Sequence, residues 1–299
     1  MMRYVLPAVA ACVVLALLYV YGVERTGVVG GQVPTAVQAS QQYKAQSDVP
    51  HPREGSGVAQ HGDRGKSSLE SAFSAAQDLR VFVESSKQQP LVGGIFYASI
   101  AINECRFSGA GDTSASPSVK TEQKREQARA RLRSRCASFT ESELSTDALM
   151  QLTSLRDASR DPLRAAYNKW NEARASGNRT GQQASLDQVL QLRDPMLVAA
   201  VSPYSVLPAA FNGIAVKGEE LTLYQGVWSL LPCGFGADCG PNNLAVLREC
   251  ADGGVCYGGK LEMVRAELAK RGFAAATVNQ LYTDMMQAAA ERRVQAFLP

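Results

Sequence analysis

Seven cysteines and two histidines set the limits of what this chain of 299 residues can do by chemistry. Setting Cys12 aside leaves Cys105, Cys136, Cys233, Cys239, Cys250 and Cys256, an even set that in an oxidising compartment predicts disulfides. Proximity along the chain pairs Cys105 with Cys136, Cys233 with Cys239 and Cys250 with Cys256. The last two pairs close small rings around GFGAD and ADGGV, whose glycines supply the sharp bends such rings require. A crossed pairing, Cys233 with Cys256 and Cys239 with Cys250, competes with this one. A zinc site is the sharper rival, because C-x5-C-x10-C-x5-C brings together enough thiolates to surround a metal. Its spacers, however, are wider than those of zinc ribbons. No C-x-x-C occurs to poise a thiolate for redox catalysis.

Other catalytic chemistry has little to work with. His51 and His61 both precede the folded part, which therefore offers no imidazole to a Ser-His or Cys-His nucleophile, a His-ligated zinc or a haem. Glu141, Glu143 and Asp147 cluster after Phe139, and Glu219 with Glu220 precede an apolar stretch. Paired carboxylates are the equipment of a hydrolase, although acidic residues at helix starts also answer the helix dipole. Gly93-Gly94 and Gly253-Gly254 lack the strand, spacing and lysine of a phosphate loop. No catalytic residue, cofactor or metal is assigned.

The stretch from Lys120 to Arg135 carries seven basic residues against Glu122 and Glu126. It reads as a long exposed helix whose Arg125, Arg129 and Arg133 form a candidate surface for an anionic partner. The competing reading is a solvated face laced with ion pairs. The ring-closed turns around Phe235 and Tyr257 offer a second candidate surface.

These residues need elements to hold them. The composition is 45% hydrophobic and 20% charged, ordinary for a globular protein, and the net charge of +3 is too small to name a partner. Good helix formers with few β-branched runs predict an all-α, irregular multi-helix domain. Ser67 and Glu70 form a capping box for a helix whose apolar stripe, Leu69, Phe73, Leu79, Phe82 and Val83, continues to Gln89-Pro90. Leu91 to Cys105 is apolar nearly all round and predicts a central helix. Asp161-Pro162 and Asp194-Pro195 each set a cap before a proline, the order in which helices begin. ASGNRTGQ reads as a loop, within which Asn178-Arg179-Thr180 matches a glycosylation acceptor. Further helices are predicted over Leu221 to Leu231, from Leu261 to Lys270 with a stop at Gly272, and from Thr277 to Phe297.

Ahead of the domain, Tyr4 to Val23 has no charge and is long enough to cross a hydrocarbon core. Residues 1–23 are read as a transmembrane signal-anchor, 24–66 as a disordered linker and 67–299 as a helical extracytoplasmic domain. A flexible linker of this length reaches on the order of 35 Å from the bilayer. Two processing alternatives are cleavage after Val37-Gln38-Ala39, which releases the domain, and lipidation at Val9-Ala10-Ala11-Cys12.

The segment WSLLPCGFGADCGPNN from Trp228, with Cys250 and Cys256 beyond it, resembles the C-terminal segment of uncharacterised bacterial exported proteins. They too place Cys-x5-Cys, a Gly-Pro helix start and a second cysteine pair after an apolar helix. The resemblance implies export from a bacterial cytoplasm and no particular activity. The expectation is a single-pass inner-membrane protein with its domain in the periplasm, where it binds or scaffolds an envelope protein and no nucleic acid. A carboxylate-dependent envelope hydrolase is the alternative.

Overall fold

The structure, a computed structural model, describes residues 68–106, 119–205, 208–253 and 255–298. The anchor at 1–23 and the linker at 24–66, with His51 and His61, lie outside the described residues. Among those described, no helix is long and apolar enough to cross a membrane.

The stripe that reads as one helix up to Pro90 is two, α1 (Ser68–Ala75) and α2 (Leu79–Ser86). Asp78 makes the break. Its Oδ1 accepts the N–H of Arg80 at 2.9 Å and of Val81 at 3.2 Å, so a fresh helix starts there with its own cap. Phe73, Leu79, Phe82 and Val83 are buried on both sides of it, which is why the apolar spacing alone does not reveal the interruption. Ser67 lies outside the described residues. Glu70 is turned to the hydroxyl of Ser74 at 2.8 Å and the N–H of Asp238 at 3.4 Å.

After a 3-10 turn at Pro90–Val92 and a left-handed Gly93 (φ 97°), α3 (Gly94–Arg106) buries Ile95, Phe96, Tyr97, Ala98, Ala101 and Ile102. Then come α4 (Val119–Cys136), α5 (Thr146–Ser154), α6 (Pro162–Ala175), α7 (Arg179–Leu192) and α8 (Pro195–Ala200). Both Asp-Pro starts are helix caps, and each does a second job. Asp161 accepts the N–H of Arg164 with one oxygen and that of Phe96 with the other, both at 2.9 Å. Asp194 accepts the N–H of Leu197 and the hydroxyl of Tyr97, also at 2.9 Å each. The starts of α6 and α8 are thereby bolted to adjacent residues of α3. Burial raises the pKa of both carboxyls, against the pull of these donors.

The loop expected at ASGNRTGQ is shorter than predicted. Asn178 accepts the N–H of Gly181 at 3.0 Å and caps α7, so the side chain of the glycosylation pattern is a helix cap.

The all-α expectation needs one correction: the described residues are mostly helical, with a hairpin. β1 (Ala209–Phe211) pairs antiparallel with β2 (Ile214–Val216), Ala209 opposite Val216 and Phe211 opposite Ile214. Asn212 (φ 49°) and Gly213 (φ 79°) make the turn, the left-handed pair that a two-residue hairpin demands.

The chain continues through α9 (Glu219–Trp228), α10 (Leu231–Gly234), α11 (Leu244–Arg248) with a π turn at Glu249–Gly253, α12 (Lys260–Lys270) and α13 (Ala275–Ala290). The last helix stops short of Phe297, because a left-handed Arg292 (φ 55°) folds Val294 and Phe297 back into the core. There Phe297 meets Trp228 edge to face at 5.2 Å. The indole N–H of Trp228 donates to the carbonyl of Val201 at 2.8 Å, just beyond α8. A smaller cluster, Ala128, Leu132, Leu247, Cys250 and Ala251, fastens α4 to α11 and the π turn.

Candidate functional site

Cys105 is bonded to Cys136, Cys233 to Cys239 and Cys250 to Cys256. This pairing overturns the crossed alternative. It also removes the zinc reading, since sulfurs bonded in pairs are not thiolates. The bridges converge on one place. Glu104 precedes Cys105, Arg135 precedes Cys136, Cys239 is itself in the wall, and Arg248 lies two residues before Cys250. Together they line a cavity of about 190 Å³, with Glu70, Asp238 and Lys260 supplying its other charges and Phe73, Met196 and Leu244 its apolar wall.

Each charged group is positioned by identifiable contacts. Arg248 stands 2.5 Å from the carboxylate of Glu104 and donates to the Glu104 carbonyl at 3.1 Å. Arg135 is 4% exposed and donates to the carbonyls of Phe73 (2.8 Å) and Ser74 (3.4 Å) at the C-terminal end of α1, where a cation suits the helix dipole. Its guanidinium carbon lies 5.7 Å from the centre of the Phe73 ring. Lys260 is brought in by its backbone, whose N–H donates to the carbonyl of Cys239 at 2.8 Å. The preceding Gly259 allows that approach, because a Cβ there would sit 2.8 Å from the same oxygen.

Burial lowers the pKa of Lys260, and no other influence offsets it. Burial raises the pKa of Glu104, opposed by the attraction of Arg248 and Arg135. One cavity thus makes a carboxyl readier to hold a proton and an ammonium readier to lose one, the kind of divergence that marks sites able to bind or exchange charge.

The surface predicted on α4 is corrected. Arg125 is 2% exposed and paired with Glu122 at 3.2 Å, so it faces inward. The helical period explains this: Arg125, Ala128, Leu132 and Arg135 fall on one face, and all four are buried. Arg129 reaches Glu122 at 3.4 Å and Glu126 at 3.8 Å, and Arg133 pairs with Glu126. The outer arginines therefore form a ladder of ion pairs, the competing reading. Tyr257, placed on the second candidate surface, is buried, with its hydroxyl on Glu267 at 3.0 Å.

None of the carboxylates weighed for the hydrolase alternative lines the cavity. Glu141 is exposed, Asp147 stands in the first turn of α5, and Glu219 and Glu220 stand in the first turn of α9, with Glu219 3.7 Å from Arg271. Glu143 accepts the N–H and hydroxyl of Thr140, both at 2.8 Å, and the guanidinium of Arg80 at 2.7 Å, which hold its pKa at about 2. A carboxyl so firmly ionised is a poor proton donor. Because its pKa is depressed on folding, the stability it contributes is present above 4.5 and lost as pH falls toward 2. Glu143→Gln is therefore expected to melt below wild type at neutral pH, with the gap closing between pH 4.5 and 2. A gap that stays constant through that window, measured by thermal unfolding, refutes the assignment.

Sequence reasoning missed Glu104, Arg135, Arg248 and Lys260 as a group. The available signal was that Glu104 and Arg135 each precede a half-cystine, so the bond that joins the cysteines also brings these two together. No protein-family model, curated protein or solved structure matches the chain.

Proposed function

We propose that this chain is a binding domain of the bacterial cell envelope, held to the inner membrane by residues 1–23 and presented in the periplasm on the linker 24–66. The observation that carries the binding role is the charged cavity, whose wall includes Cys239 and residues next to Cys105 and Cys136, so that two disulfides hold part of it. Walls held this way lose little freedom when a ligand settles, so little of the interaction is spent on ordering the site. Three bonded cysteine pairs support an oxidising compartment. The resemblance of the segment after Trp228 to exported bacterial proteins points the same way. The hydrolase alternative has less behind it, since Glu143 is locked as an anion, Glu141 lies exposed in a turn, and Asp147, Glu219 and Glu220 stand at exposed helix starts.

The test is site-specific photocrosslinking in intact cells. A photoreactive residue replacing Asp238, exposed at the cavity, is expected to capture a defined ligand or envelope protein. The same residue at Met150, which is 56% exposed and outside the cavity lining, is expected not to capture it. Equal capture at both positions, or capture only at Met150, removes the cavity from the account. Cytosolic-side digestion of the domain in oriented vesicles removes the periplasmic placement.

A further inference from the structure

We infer that the domain rests on the bilayer through an aliphatic tip, Leu91, Val92 and Leu155, which enters the lipid interface. The inference depends on the membrane anchor proposed above and names the face of the domain that meets the membrane.

The tip is built where two 3-10 turns pack together, Pro90–Val92 after α2 and Arg156–Arg160 after α5. Leu91, Val92 and Leu155 are 61%, 55% and 46% exposed, three of the seven large hydrophobic residues left in water among the described residues. Such residues are ordinary when scattered singly, but here they are gathered at one contact between turns.

The composition of the tip suits lipid. No charged residue occurs between Lys87 and Glu104, so the turn that carries Leu91 and Val92 enters an apolar phase without dragging an ion along. Backbone groups are the other cost of leaving water, and the turn answers its own. The N–H of Val92 donates to the carbonyl of Gln89 at 3.2 Å, that of Gly93 to Pro90 at 3.2 Å and that of Gly94 to Gln89 at 3.0 Å. The charges beside the tip are matched with one another, Lys87 with Glu84 at 2.6 Å and Arg160 with Asp157 at 3.4 Å, which leaves Arg156 alone unmatched among the described residues. Apolar burial, and not attraction to anionic headgroups, therefore drives the contact.

A protein partner would need more surface than this. Three aliphatic side chains fall well short of the roughly 1,200 Å² buried in a stable protein–protein interface. A bilayer asks less, because the linker already keeps the domain within about 35 Å of it and the contact forms intramolecularly, at the effective concentration that a tether confers. The contact adds to the anchor and turns one face of the domain to the lipid.

The experiment uses the full-length chain carrying Leu91→Trp, floated with phosphatidylcholine vesicles whose acyl chains are either plain or brominated. Trp170 and Trp228 are 1% and 2% exposed, so quenching by bromine reports the new indole. Its emission is expected to fall by about twofold or more in brominated vesicles, and equally when phosphatidylglycerol or salt is added. Val92→Trp is expected to behave in the same way. Met150→Trp, 56% exposed on the side of α5 away from Leu155, is expected to remain unquenched. Adding Val92→Asp and Leu155→Asp to Leu91→Trp is expected to abolish the quenching while the circular dichroism of the domain is unchanged. Quenching that requires phosphatidylglycerol assigns the contact to basic residues and overturns the inference, and so does equal quenching at 91 and 150. A chain that floats with the vesicles while positions 91 and 92 stay unquenched keeps the anchor and overturns only the docked face. A chain that does not float with them overturns both.

Discussion

Gly94→Ala is expected to lower the melting temperature by about 10 °C or more. A Cβ at this position would lie 1.8 Å from the carbonyl oxygen of Ser86 and 2.7 Å from that of Gln89. Neither oxygen is free to retreat. Ser86 O accepts the N–H of Gln89 at 2.8 Å, and Gln89 O accepts those of Val92 at 3.2 Å and Gly94 at 3.0 Å. The clash is with the hydrogen-bonded clasp that turns α2 into α3, and relieving it means moving one helix off the other. Overpacking a core typically costs about 1–3 kcal/mol when side chains can adjust, and backbone displacement puts this case at or above the upper end. In a domain of this size each kcal/mol corresponds to about 2–4 °C. Gly177→Ala is the control. It has the left-handed φ of 65° but open space around it, so only the conformational penalty of about 1–2 kcal/mol applies. Thermal unfolding by circular dichroism reads both. Should Gly94→Ala melt no lower than Gly177→Ala, the close approach is not the reason for glycine at 94.

The consequence reaches the cavity, because α3 runs from Gly94 at that clasp to Glu104 at the ion pair with Arg248. Elements of this kind were readable from sequence wherever a local rule acted. Asp161-Pro162 and Asp194-Pro195 start helices because cap and proline act within one turn, and Gly272 ends α12 because a φ of 89° belongs to glycine. The misreadings have equally local causes that were present in the sequence. Asp78 is as good a cap as Asp161, but apolar residues on both sides of it continue the same stripe and conceal the break. Asn212-Gly213 is the strongest short hairpin signal, yet β1 and β2 are three residues each, too short for an alternating pattern to stand out from a helical background.

The cavity was beyond reach for a different reason. Glu104 sits at the end of α3, Arg135 at the end of α4, Arg248 on α11 and Lys260 at the start of α12, so only Arg248 and Lys260 are near each other in sequence, and those two are on separate helices. Charge counting drew attention to the middle of α4 instead, where Glu122 and Glu126 answer the arginines. Counting cannot show that the same helix turns Arg125 and Arg135 inward. What could be read was the cysteine pairing, since short rings and an even count made proximity a usable guide. That pairing contained the site in outline, because the residue before each of Cys105 and Cys136 is a charged residue of the cavity.

Removing the long bridge is the second change with a large expected effect. The double substitution of Cys105 and Cys136 by serine is expected to cost about 3.7 kcal/mol in the chain-entropy model, against about 2.4 kcal/mol for either small ring. The difference follows from loop length, 31 residues of separation against six. It is reinforced by burial, since Cys105 is 5% exposed and packs in the main core, where a serine hydroxyl finds no apolar welcome. Denaturant unfolding of the three double variants gives the order directly. A long-bridge variant as stable as the small-ring variants contradicts the loop-length argument. The bridge also sets the spacing between α3 and α4, and with it the distance from Glu104 to Arg135, whose attraction opposes the raised pKa of that carboxyl. Under conditions where the variant remains folded, the Glu104 titration is therefore expected to move further upward, because desolvation persists while the guanidinium is no longer held near. Loss of the Cys233–Cys239 ring leaves Glu104 alone and frees Cys239 from its partner, and Cys239 carries the carbonyl on which the backbone of Lys260 docks. The two bridges thus reach opposite charges of one cavity, the long one through Arg135 beside Glu104 and the short one through the backbone on which Lys260 docks.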